Sequence, residues 1–270
     1  MAEEVEEDAT PKFPSMQRFC ADEPLYHQYP LNDLAALDIY NFLTESKSID
    51  LYCVECGQQS IFRCSNVSIG NSPNNFDFSD RVVMRDFSCT RQPSHKSYFY
   101  FQIYKRNFHK IGQWPSMADL AEGELLKYRK ILDDSDHREL VRAVGLASHG
   151  VGIGSFAYLR RIFERLISEA RNVAANTDGW SQETYEVGRM EEKIQMLRDY
   201  LPEHLVENRA LYGVLSKGIH ELSEDECLKY FPIVRLGIEL ILDQKVAQRN
   251  EQDKIAKAKK GISDLKQKFK

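Results

Sequence analysis

The stretch Ile49 to Cys64, IDLYCVECGQQSIFRC, sets two β-prone runs on either side of Cys53-Val54-Glu55-Cys56-Gly57. A Cys-x-x-Cys-Gly between two strands is the knuckle of a zinc ribbon. Two thiolates converge on one metal face, and the glycine permits the tight turn that aims backbone amides at the sulfurs. A thioredoxin-type reading of the same four residues would need a helix to follow the motif, and no helical pattern does. The architecture that starts here is therefore β-structure organised by a metal.

Working outward, RVVMRDFSC (81–89) and SYFYFQIY (97–104) supply two further strand-like runs, with Cys89 and His95 between them. Zinc takes four ligands at about 2.0–2.3 Å, so the expected set is Cys53, Cys56, Cys89 and His95. Cys64 competes for either of the later positions, but it follows Ile61 and Phe62 in a strand-like run and is explained as a packed side chain. Four protein ligands make the zinc structural, since a hydrolytic zinc keeps an open position for water. Residues 65–80, rich in Asn and Ser, read as a loop or an inserted hairpin.

Beyond the ribbon, expected to span 49–109, the region around Lys110 to Pro115 reads as a linker, and Ser116 caps the first helix of a helical domain over 116–245. Its clearest element is GSFAYLRRIFERLISEA (154–170). On a helical wheel Phe156, Leu159, Ile162, Phe163, Leu166, Ile167 and Ala170 form one broad stripe. Arg161 and Arg165 fall on the far side, in solvent. Arg160 and Glu164 sit one turn apart at the border of the stripe, where a bonded pair can still reach a neighbouring helix. Gly150, Gly152 and Gly154 imitate a phosphate loop, but no strand precedes them and no Lys-Ser or Lys-Thr follows, so close packing of helix ends is the expected reason. Ser223-x-x-Glu226 forms a capping box ahead of the last long helix, in which Pro232 predicts a kink or a later start.

Upstream, residues 1–14 form an acidic arm expected to be disordered, and 31–46 read as one short leading helix capped by Asn32 or Asp33. Downstream, 246–270 is a basic tail, helical or disordered, with Ile255, Ile262, Leu265 and Phe269 on a thin heptad-like seam that could meet nucleic acid or a partner coil. The net charge of −5 over 270 residues argues against a wholly basic nucleic-acid binder. No apolar run approaches the roughly 20 residues of a membrane span, and no secretory leader is evident. The expected location is cytoplasmic, where six cysteines are ligands or buried thiols rather than disulfides.

Several stretches together resemble a group of bacterial proteins that join an amino-terminal zinc ribbon to a helical domain of the HEPN superfamily. They are Cys53, Cys56 and Cys89, the linker KIGQWPS (110–116), the helix YLRRIFERL (158–166) and LSKGIHELSEDEC (215–227). The resemblance covers roughly residues 50 to 245. It implies an α+β chain, a small zinc ribbon followed by an all-α bundle of four or more helices, and a homodimer. In many members it also implies metal-independent RNA cleavage through an Arg-x(4–6)-His motif, the histidine moving the proton and the arginine stabilising charge on the phosphate. His220 occupies the matching position, whereas the arginine is absent and Lys217 is the nearest cation. The expected role is therefore a binding or sensing module for RNA, a nucleotide or a protein, in phage defence or a toxin system. The alternative is a ribonuclease with a rearranged site of His220, Arg160, Glu164 and Lys217. Arg142 with His149 and Arg198 with His204 also satisfy the spacing formally, away from the position the resemblance assigns.

Overall fold

The computed structural model describes residues 13–31, 35–66 and 79–269. Most of the acidic arm, the caps Asn32 and Asp33, and most of the Asn/Ser-rich stretch lie outside them. The chain divides into two compact units, Met1–Gly123 and Glu124–Lys270.

The first unit is a six-stranded, wholly antiparallel sheet. The strands are β1 (Tyr29–Pro30), β2 (Ser48–Cys53), β3 (Gln58–Arg63), β4 (Arg81–Cys89), β5 (Lys96–Tyr104) and β6 (Asn107–Trp114), in the order β1-β6-β5-β4-β3-β2. The helices α1 (Met16–Ala21) and α2 (Ala35–Thr44) supply Phe19 and Phe42 to the core formed by one sheet face. Period-two alternation puts Ile49, Leu51, Phe62, Phe87, Phe99 and Phe101 on that face, all buried. The rings of Phe42 and Phe101 meet edge to face at 5.0 Å, and Phe101 stacks on Phe108 at 5.6 Å. Each such ring contributes about 1.5–3 kcal/mol by burial, and together they hold the sheet that carries the Cys/His cluster.

The sheet is larger than a ribbon over 49–109, because the stretch expected as a linker is its strand β6. Two features hide that strand from its sequence. The register between β5 and β6 shifts at Tyr100/Phe101, which breaks the alternation. Lys110, which reads as a surface residue, is fully buried, with its ammonium donating to the Cys20 carbonyl at 3.2 Å. Gly112, which reads as punctuation, lies across from Tyr100 in the ladder. The helix α3 (Met117–Leu125) follows, with Ser116 capping it through Asp119 as expected.

In the second unit a 3₁₀ turn (Leu126–Lys130) leads to α4 (Asp134–Ser148), α5 (Gly152–Ala174), α6 (Gln182–Val187), α7 (Met190–Met196), α8 (Glu203–Glu207), α9 (Ala210–His220) and α10 (Glu224–Lys268). The stripe on α5 is buried as its spacing predicts, and α5 packs on α4, α9 and α10. Gly152 explains the glycine run: a Cβ there would stand 2.6 Å from the Glu224 carbonyl oxygen and 2.7 Å from the Cys227 Cβ. Two short helices follow Trp180, because Gly188 is extended between α6 and α7. Ser223 and Glu226 form the expected capping box, and α10 runs unbroken through Pro232 into the basic tail.

Two arginines of α5 are not simply solvated. Arg161 reaches Glu139 of α4 at 2.8 Å, and Arg165 bridges Asp136 and Glu139. Both carboxylates are buried. Arg161 and Arg165 therefore reach from α5 to acids of α4.

Candidate metal centre

Two turns of the sheet converge on one point. The first joins β2 to β3: Gly57, at φ +67°, returns its amide to the Cys53 carbonyl at 2.8 Å. The Cys56 amide points at the Cys53 sulfur at 3.4 Å. The second joins β4 to β5, where Cys89 donates its amide to the His95 carbonyl at 3.0 Å and His95 donates to the Gln92 carbonyl at 2.9 Å. Pairing of Phe62 with Cys89 sets β4 beside β3, so both turns emerge at the same end of the sheet.

The ligand atoms of Cys53, Cys56, Cys89 and His95 all lie within 4.8 Å of one another. The imidazole presents Nδ1, 3.2 Å from the Cys56 sulfur and 3.6 Å from the Cys53 sulfur. Tetrahedral zinc with thiolate bonds of about 2.3 Å would set its ligands about 3.8 Å apart. The cluster is thus a possible metal site, consistent with zinc. Cys53 and Cys89 are buried and Cys56 and His95 partly so.

The electrostatics suit a thiolate site. Burial raises the Cys89 thiol, yet hydrogen bonding to Ser60 at 3.1 Å and to the backbone of Gln92 and Arg91 outweighs it and brings the group down to about 7. Desolvation and the neighbouring sulfurs of Cys53 and Cys89 push Cys56 up to about 11. Three thiols this close cannot all ionise cheaply without a cation between them, and a divalent metal is such a cation. On the outer side His95 Nε2 faces the Glu55 carboxylate at 3.7 Å, longer than a hydrogen bond, while Nδ1 points at the sulfurs.

Cys64 stands outside this cluster. Its sulfur accepts from the guanidinium of Arg85, which also donates to the carbonyls of Leu43, Glu45 and Ser65. Sequence reasoning missed Ser60, Glu55 and Arg85, since a serine in a strand, a knuckle glutamate and a strand arginine carry no distinctive pattern.

Of the residues weighed for catalysis, Arg160 and Glu164 come together with a tyrosine. Arg160 bonds Glu164 at 2.8 Å and the Tyr212 hydroxyl at 2.9 Å, and that hydroxyl donates to Glu164 at 3.1 Å. Arg160 also lies over the Tyr212 ring, 5.1 Å from its centroid. Burial and the Glu164 contact hold the Tyr212 phenol above its ordinary range. His220 is the last residue of α9 and is exposed. Eight positions separate it from Tyr212, about 12 Å of helix. Among the described residues no hydrogen bond or ion pair joins His220 to Arg160, Glu164 or Lys217. The tyrosine of this trio was not foreseen.

Comparison with protein-family profiles, curated proteins and solved structures finds no match for this chain. Among the described residues no helix is long and apolar enough to cross a membrane.

Proposed function

We propose that the chain is a non-catalytic binding module, in which a zinc-ribbon-like sheet held by one structural zinc accompanies a HEPN-like helical unit, with RNA, a nucleotide or a protein as its ligand. The observation that carries this reading is the donor set: four side chains, Cys53, Cys56, Cys89 and His95, within one cluster. A zinc so held has every tetrahedral position filled by protein, and it ties two turns together rather than activating water. The placement of the remaining candidates supports the same conclusion. Arg160 and Glu164 are satisfied by each other and by Tyr212, and among the described residues no hydrogen bond or ion pair joins a cation to His220, which favours binding over the pairing of a proton-transfer group with a phosphate-stabilising charge.

The test is to incubate purified protein with RNA without added metal ion and to identify nucleic acid that co-purifies with it. Binding without cleavage is expected, together with one zinc per chain by elemental analysis. Cleavage that is lost in His220→Ala while the melting temperature stays unchanged would instead establish the ribonuclease reading.

A further inference from the structure

Among the described residues, the last part of α10 is a helix that packs on nothing. The ties that hold it to the rest of its unit are Lys127 to Asp243 at 2.6 Å, Lys245 to Glu169, and finally Lys130 to Asn250 at 3.2 Å. From Glu251 to Phe269 every residue is exposed. This free segment extends about 27 Å at 1.5 Å per residue. It nevertheless keeps a hydrophobic order: Ile255 (48% exposed), Ile262 (54%), Leu265 (54%) and Phe269 (83%), with Ala258, recur at spacings of three and four.

Taking Ile255, Ile262 and Phe269 as a positions makes Ala258 and Leu265 d positions. These five side chains fall within an arc of about 80° at 100° per residue. So narrow a stripe is a coiled-coil seam; a helix lying in a membrane or on a core presents a wider apolar face. The lysines 254, 257, 259, 260, 266 and 268 are scattered around the axis instead, with Asp253 and Asp264 opposite the seam. No cationic face is gathered for a nucleic-acid backbone. Four of the lysines bracket the seam, Lys254 and Lys268 at g and Lys259 and Lys266 at e, while Glu251 falls at the d position where the free segment begins.

That bracket selects the partner. In a parallel pair of identical helices Lys254 would meet Lys259 of the other copy, and in an antiparallel pair like positions would again meet, lysine against lysine. The e and g charges set partner choice in coiled coils, and here they oppose a second copy and favour glutamate or aspartate. We infer that the free end of α10 is a docking helix for an amphipathic helix of another protein, apolar at a and d and acidic at e and g. The inference rests on the reading of the chain as a binding module and gives its partner a chemistry; it does not depend on the metal.

The experiment uses full-length protein and two synthetic helices of about four heptads, with Ile at a and Leu at d, one carrying Glu and the other Lys at e and g. Fluorescence anisotropy should show micromolar binding of the Glu helix, weakening with salt, and none of the Lys helix. Ile262→Asp with Leu265→Asp should weaken binding at least tenfold while circular dichroism and zinc content stay as in the wild type. Lys259→Glu with Lys266→Glu, both at exposed positions, should exchange the preference. Equal binding of the two helices, binding of neither, or a dimer of the chain lost in the Asp variant would overturn the inference. So would capture of anionic vesicles or single-stranded RNA that the Asp variant abolishes while the Glu helix fails to bind. A failure here with one zinc per chain and bound RNA retained would leave the function proposed above standing.

Discussion

The Nδ1 atom of His95 lies 3.2 Å from the sulfur of Cys56, across 39 positions of sequence. Only a pair of turns brought to one end of a sheet makes that contact, and it decides which side chains can share a metal. Elemental analysis should find about one zinc per chain. Cys53→Ser and His95→Ala should each lose it, with a fall in melting temperature. Cys64→Ser should keep it, since that sulfur serves Arg85.

Glu55 stands behind the imidazole of the cluster. Its carboxylate stands 3.7 Å from His95 Nε2 and is partly open to solvent, so its effect belongs at the lower end of that known for groups behind a ligand. Glu55→Gln should reduce zinc affinity about tenfold, read by competition with a chromophoric chelator, with the fold unchanged.

In the helical unit Arg165 serves two buried acids, Asp136 and Glu139, while Arg161 meets Glu139 from a more exposed position. Removing Arg165 leaves buried carboxylate uncompensated. Arg165→Ala should therefore cost about 3 kcal/mol in urea unfolding, against about 1 kcal/mol or less for Arg161→Ala. Equal losses would show that the burial of the two acids does not set the energetics.

Lys110 should make stability depend on pH in the alkaline range. Burial lowers its ammonium from 10.5 to about 8, against the pull of Cys20, Glu23 and Asp22. The folded state thus prefers the neutral amine. Below about pH 8 both states carry the proton, and this group adds no slope. From pH 8 to 10.5 the unfolded chain binds more proton than the folded one, so stability rises with pH. The rise amounts to about 3.5 kcal/mol at 1.4 kcal/mol per pKa unit. Lys110→Met should be more stable than the wild type at pH 7 and should lose that alkaline rise, as measured by denaturant unfolding across the range.

The local elements were legible in the sequence wherever a physical pattern repeats within a few residues. The α5 stripe from Phe156 to Ala170, the Ser223–Glu226 capping box and the knuckle at Cys53 and Cys56 are short-range consequences of helical period, orphan amides and tight-turn geometry. Cys89 and His95 were legible as the other half of the cluster by their chemistry, because a half-site of two thiols needs completing.

Tertiary structure alone decided the rest. Lys110, Arg85, Asp136 and Glu139 are charged residues whose burial rests on partners far away in sequence, which no local periodicity encodes. The shifted register at Tyr100 and Phe101 concealed β6. Tyr212, and not His220, came to Arg160 and Glu164, because helices meet residue by residue according to how their apolar stripes pack, whereas sequence spacing places a residue only within its own helix.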